Sequence, residues 1–213
     1  MKIVEDNPQR RKADLPGVGN PTLESLERYW RALRHAQSVP SRNDIEPSQI
    51  DAALPHAFIL QRVAPGIARM RVAGQSLHDL LKMDARGMPL STFFDPSARD
   101  EIAKLVEAAF SEPAIISVPL NSQGSLIRSH LTGTMLLLPL RDDKGETTRI
   151  LGAIVTEGEA GSRPRRFEIT KGARIRHETL GLQLASVQPL VHKSPEPATE
   201  RKAPFLRLVV NNG

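Results

Sequence analysis

The sequence predicts an α+β fold, in which five antiparallel strands form one sheet with helices packed on one face and an amphipathic helix before it. Two strand-like runs come first, several helical segments follow, and three more strand-like runs close the domain. Turn residues such as Ala64-Pro65-Gly66 join neighbouring strands. A doubly wound parallel sheet alternates strands with helices, so this order excludes it and favours helices gathered on an antiparallel sheet.

The first helix is predicted from residue 21, where the apolar pattern begins. Leucines and one tryptophan recur every three or four positions, with charged residues on the other sides: Leu23, Leu26, Trp30 and Leu33. Residues 1–20 mix charge, proline and glycine without such a period, which is typical of a disordered leader.

The five strands are short apolar runs bounded by turn residues. They are predicted at 57–63, 67–73, 114–120, 131–140 and 147–156. Between the second and third strands the spacing predicts a short helix containing Leu77, Leu80 and Leu81. A longer helix is predicted from its apolar stripe: Ile102, Leu105, Val106, Ala109 and Phe110.

The last two strands are apolar on both faces, because Met135, Leu137 and Ile154 alternate with other aliphatic residues. A sheet with one wet face alternates apolar and polar residues instead. Something must therefore cover the second face, and the helix of Trp30 is the best candidate. The helix can come from the same chain or from a partner in a dimer, which makes Leu23, Leu26, Trp30 and Leu33 candidate interaction residues.

Composition excludes several classes of protein. The chain of 213 residues has no cysteine, so it has no disulfide framework, no thiolate metal site and no cysteine nucleophile, and a reducing cytoplasm is expected. Its longest apolar run, 135–140, is too short to span a membrane. The net charge of +5 is concentrated towards the chain ends, which disfavours nucleic-acid binding by the folded core.

No pattern of catalytic residues stands out in the sequence, and we expect no enzyme activity. Gly17-Val18-Gly19 has no strand before it, so it is not a dinucleotide-binding turn. Asp142-Asp143 falls in a predicted hairpin turn, where aspartate makes local backbone hydrogen bonds, and we predict no metal site there.

Residues 159–213 are predicted to be a basic, proline-containing and mostly flexible tail after a domain at 21–158. An alternative is that 167–184 form a helix that binds an acidic partner, or nucleic acid through its phosphates. The strand-like segment 205–210 is expected to add to a sheet edge in this molecule or a neighbour.

Short motifs in a fixed order carry a family resemblance. They are Tyr29-Trp30, Val39-Pro40-Ser41-Arg42, Leu54-Pro55, Val72-Ala73-Gly74, Leu138-Pro139-Leu140 and Arg149-Ile150-Leu151-Gly152-Ala153. This set resembles a small PAS-like family common in alphaproteobacteria, over about residues 23–156. One departure is Lys82-Met83-Asp84, where relatives often have a glycine.

The resemblance implies a five-stranded PAS fold that acts as a stand-alone sensory or regulatory module in cytoplasmic signal transduction. Relatives act as sensory or protein-interaction modules and often dimerise through an N-terminal helix. The partners expected for this chain are therefore signalling proteins, for example sensor kinases or other regulators, and a second copy of the chain. A small ligand can lie between sheet and helices, and the candidate residues are Leu77, Leu81, Phe93, Phe110, Met135, Leu137 and Ile154. Alternatively, these residues simply fill the core.

The residue types in the chain limit which cofactors it can use, but they do not identify one. Flavin photochemistry through a cysteine adduct is excluded, because the chain has no cysteine. A haem sensor needs an axial ligand, usually histidine. His78 and His130 lie in the core segment, but no flanking motif singles out either one, which disfavours haem. The alternative function is regulation through binding of nucleic acid or an acidic partner by the basic tail.

Overall fold

A computed structural model describes residues 19–35, 39–124 and 129–181 of the chain. The α-helices are α1 (Pro21–Ala32), α2 (Gln75–Leu81) and α3 (Arg99–Ser111). The long strands are β1 (Ala57–Ala64), β2 (Ile67–Ala73), β3 (Ala114–Ser122), β4 (Leu131–Arg141) and β5 (Thr147–Glu157). Two short strands follow, β6 (Glu168–Ile169) and β7 (Arg176–Thr179). Single 3-10 turns lie at Arg42–Asp44, Pro47–Gln49, Leu90–Phe93 and Pro96–Ala98.

The strands form one sheet in the order β2-β1-β5-β4-β3, and β6 and β7 both pair with the outer edge of β3. Every pairing between these strands is antiparallel. The predicted α+β fold class is confirmed. The predicted strand count of five holds for the long strands, and the two short strands extend it.

Local chemistry sets the ends of the first two helices. The Asn20 side chain accepts hydrogen bonds from the backbone N–H groups of Thr22 and Leu23 at 3.1 and 3.2 Å, and Pro21 occupies the first helical turn. Helix α2 ends at Leu81, and the next residue, Lys82, caps it with a left-handed backbone at φ of 57°. Glycine adopts this conformation without strain, which explains the glycine expected near this position.

Two hydrophobic cores lie on opposite faces of the sheet. The first core fills the space between the sheet and helices α2 and α3. The second core lies between the other face and helix α1 with the segment that follows it. Apolar residues on both faces of β4 and β5 therefore serve two cores, which is why these strands do not alternate with polar residues.

The segment after β5 does not form the helix that was the alternative for residues 167–184. Instead of a helix beginning at Phe167, the chain forms β6 and β7 on the edge of β3, and the folded part continues to Leu180, which is buried. The helix prediction is wrong because unpaired N–H and C=O groups on β3 offer this segment a ladder of hydrogen bonds that its sequence alone does not reveal. Residues 1–18 and 182–213, including the strand-like run 205–210, lie outside the described residues.

Candidate functional site: the first core and the arm that closes it

The residues predicted to line a ligand pocket come together in the first core. All of them are between 0 and 4% exposed: Leu77, Leu81, Phe93, Phe110, Met135, Leu137 and Ile154. They are brought together by α2, the 3-10 turn at Leu90–Phe93, α3 and strands β4 and β5. Pattern analysis missed other large members of this cluster, including Phe94 and Phe167.

The first core is packed by side chains. A cavity of about 30 Å³ lies at its edge, between the β1–β2 turn and α3, next to Gly66, Leu90 and Val106. This volume suits about one water molecule and is far smaller than a ligand site of several hundred cubic ångströms. This packing agrees with the alternative that the predicted pocket residues fill the core. Ligand binding by these residues stays a prediction.

The chain segment 159–180, called the arm below, closes one side of the first core. Its backbone bonds to the helical layer, because Arg165 N–H donates to Leu80 O and Phe167 N–H donates to Phe93 O, both at 2.8 Å. Phe167 is fully buried in the first core. Phe167 and Ile169 are apolar residues two positions apart, a spacing that is typical of a strand.

Arg165 fixes the start of the arm. The residue is fully buried, and its guanidinium donates to the carbonyls of Ala160, Ser129 and Glu159 at 2.7, 2.8 and 2.9 Å. A buried cation is tolerated only when its donors are satisfied, and a guanidinium has five N–H donors for this purpose. Arg165 thus joins the arm to the chain entering β4, and it is not one of the solvated basic residues of a tail.

Helix α1 covers the second face from within the same chain. Leu23, Leu26 and Trp30 are 0 to 1% exposed in the second core, and Leu33 is partly buried against it. The indole Nε1 of Trp30 donates to Pro139 O at 3.0 Å. Of the two arrangements left open by the sequence, the structure has the intrachain one, so these side chains are not an exposed dimer surface. Dimerisation itself stays a prediction.

A cluster of charged groups joins α1 to the end of the arm. Arg31 Nη2 lies 2.8 and 2.7 Å from the two carboxylate oxygens of Glu178 in β7, and Arg31 Nε donates to Glu27 at 3.0 Å. Arg176 in β7 also binds Glu27. The N-terminal helix and the arm are therefore held together on the second face of the sheet, and Arg176 is engaged within the domain.

The two histidines considered as haem ligands have different surroundings. Ala85 N–H donates to His78 Nδ1 at 3.0 Å, and His78 Nε2 lies 3.2 Å from Ala73 O, so both ring nitrogens are in use. This arrangement argues against His78 as a haem ligand, and His130 is exposed. Burial lowers the pKa of His56.

Carboxylates near the predicted turns bind local groups. The nearby Arg86 side chain holds the pKa of Asp84 down to about 2. Asp142 accepts hydrogen bonds from Lys144 and Glu146 N–H and from the Thr148 hydroxyl, as its hairpin position predicts. Among the described residues, no group of three or more histidine or acidic side chains is placed to hold a metal ion.

Two open clefts, of about 550 and 490 Å³, lie beside β6. They share Gln123 and Glu168 in their walls. Neither is lined by a residue of the predicted pocket.

Within the described ranges, no helix is long and apolar enough to cross a membrane.

The chain is similar to known proteins in sequence and in structure. The PAS domain family matches residues 18–155. Among solved structures, the dark state of the blue-light photoreceptor Aureochrome1 LOV is 19% identical, covering 55% of this chain and 86% of that one, with a TM-score of 0.38. An RNA-binding light-oxygen-voltage receptor is 16% identical over 55% of this chain and 35% of its own, with a TM-score of 0.37. A search of curated proteins gave no match. The family match covers more than half of the sequence, and the chain belongs to the PAS domain family.

Proposed function

We propose that this PAS domain is a cytoplasmic sensory and regulatory module that acts in signal transduction through protein–protein contacts, modulated by a small ligand in its first core. The proposal includes a homodimer as one of its assemblies and no catalytic activity. Sensor kinases and other regulators are the class of partner we expect.

One observation carries the proposal: the arm contacts the candidate ligand space and helix α1 at once. Phe167 packs inside the first core, while Glu178 and Arg176 of the same arm bind Arg31 and Glu27 of α1. A ligand that enlarges the first core would displace Phe167 and strain these ion pairs. Occupancy of the core would thereby alter the second face, which partners can read.

The first test is native mass spectrometry with an absorbance spectrum on protein purified from its own organism. Extra mass or a visible band would support a ligand-modulated sensor, and a stoichiometric protein partner would support a module acting by contacts. A bare monomer with no added mass, under conditions that preserve weak complexes, would contradict the proposal.

A second test asks whether the arm controls access to the first core. The variant Phe167→Ala should accelerate hydrogen exchange in α2 and in β3, because it removes the arm's buried anchor. Lys171→Ala is the matched control, since Lys171 is an exposed arm residue. Equal exchange in the two variants would show that the arm does not gate the core.

A further inference from the structure

The second face of the sheet is covered unevenly. Helix α1 and the segment after it bury the β3, β4 and β5 side of this face, where Leu136, Leu138 and Leu151 are 0 to 2% exposed. The β1–β2 side is open by comparison. Val63 in β1 is 54% exposed and Val72 in β2 is 49% exposed.

Arginines gather on this open side around Gln61 of β1. The strand pairing places Arg69 of β2 opposite Gln61 on one side and Arg149 of β5 opposite it on the other. Directly opposite residues share a face of the sheet, and Ile59, two positions before Gln61, belongs to the second core. Arg71 of β2 reaches the same place, because its Nε donates to the Gln61 side-chain oxygen.

The strands that form this surface supply little negative charge. Strands β1 and β2 contain no acidic residue, and the one acidic residue of β5 is Glu157 at its far end. Asp142 interacts electrostatically with Arg149. Even so, Arg149 Nη1 is buried without a hydrogen-bond partner among the described residues. Arg69 uses one donor on Gly87 O at 2.9 Å, which leaves further N–H groups for a ligand.

Protection of a sheet edge does not explain this arrangement. Charged residues on edge strands prevent aggregation, and that role would fit Arg69 and Arg71 in β2. Arg149 lies in β5, an interior strand with neighbours on both sides. Exposed valines beside the arginines would also weaken edge protection, whereas they suit a contact surface with an apolar component.

We infer that the surface formed by Arg69, Arg71, Arg149, Val63 and Val72, the arginine face, binds a protein segment that carries carboxylates beside aliphatic side chains. Guanidinium groups match carboxylates in bidentate geometry, and valines gain by burial against aliphatic side chains. The inference rests on the proposed function, whose partner class it specifies.

Nucleic acid fits this surface less well than an acidic protein segment. Single-stranded nucleic acids bind through aromatic side chains that stack on the bases, combined with basic groups. The aromatic residue of β1 and β2 is Phe58, which is 1% exposed and packs in the first core. Aliphatic side chains between the arginines would face phosphates without gaining from the contact.

The test uses the full chain, labelled with nitrogen-15, and short synthetic peptides as probes. The first peptide alternates glutamate and valine, the second alternates lysine and valine, and an oligothymidine strand serves as the nucleic-acid probe. Amide shifts in β1, β2 and the start of β5 are expected with the glutamate peptide alone, and they should weaken as salt is added.

Charge-reversal variants decide whether the arginine face is responsible. Arg69→Glu with Arg71→Glu should weaken binding of the glutamate peptide by about tenfold or more. Arg163→Glu with Arg174→Glu makes the same change in net charge at exposed arm positions and should leave the affinity within about twofold. Both double variants retain the buried residues of the two cores, and matching unfolding midpoints will verify their folding.

Three results would overturn the inference: no shifts with the glutamate peptide, equal loss of affinity in both double variants, or tighter binding of oligothymidine at the same strands. The last result would assign the surface to nucleic acid. These outcomes are separable from failure of the proposed function, because the peptide titration requires neither a core ligand nor a cellular partner. A bare monomer in native mass spectra would contradict the proposed function. Specific shifts with the glutamate peptide in the same protein would still support binding at the arginine face.

Discussion

Trp30 is the single tryptophan of the chain, so its fluorescence reports directly on the docking of helix α1. Its side chain is fully buried, and Leu26 lies one turn earlier with 1% of its surface exposed. We predict that Leu26→Ala lowers the free energy of unfolding by about 2–5 kcal/mol, since it removes buried methyl groups and leaves a cavity under α1. This is a large part of the roughly 5–15 kcal/mol that stabilises a typical domain.

The assay is urea unfolding followed by the emission maximum of Trp30, with Arg28→Ala as the control. Arg28 is exposed on the same helix, so its replacement should change the free energy of unfolding by less than about 0.5 kcal/mol. A loss for Leu26→Ala no greater than that of the control would refute the packing of α1 described here.

Dilution of the wild-type protein tests whether the covering helix comes from the same chain. Burial by the same chain predicts a blue-shifted emission that does not change with protein concentration, even where the protein is monomeric. A red shift on dilution without loss of secondary structure would show that the helix covers a partner's sheet instead.

Three further changes test particular contacts. Lys82→Gly should raise the free energy of unfolding by about 1 kcal/mol in thermal melts, because it relieves a left-handed backbone, and a fall would contradict this. Gly152→Ala should lower it by about 1–3 kcal/mol, since the added Cβ would lie 2.3 Å from the Phe58 ring and 2.8 Å from Leu136 O; Phe58→Leu in the same chain should reduce the loss, and additive effects would count against the Phe58 part of the clash. The hydrogen bond from Gly66 N–H lowers the pKa of Glu107, so the wild type should lose stability as pH falls below about 4.5, and Glu107→Gln should flatten that profile; parallel profiles would rule out this role.

Local patterns were sufficient for most of the secondary structure. Strand β2 was predicted with its observed bounds, and β1 and β5 extend one residue beyond theirs. The helix predicted from the stripe of Ile102 and Phe110 is α3. These predictions succeeded because the period of buried residues is a local property that each element carries in its own sequence.

The candidate site was predicted less completely. The residues predicted to line a pocket lie in one core, but Phe94 and Phe167 of the same core were missed. Phe167 lies far along the chain from β3, and no local pattern shows that its segment pairs with Leu120 and Asn121. Arg165 was grouped with solvated basic residues, because composition does not reveal burial against carbonyls contributed by other loops.

The sequence by itself determined the order of the elements from α1 to β5, a resemblance to PAS domains and the need for a cover on the second face of the sheet. Tertiary structure decided that α1 of the same chain supplies the cover, that the first core is packed by side chains, and that the arm returns to the edge of β3. The period of apolar residues in a strand or helix indicates that one of its faces is buried. Which segment covers that face depends on contacts between residues that are distant in the chain.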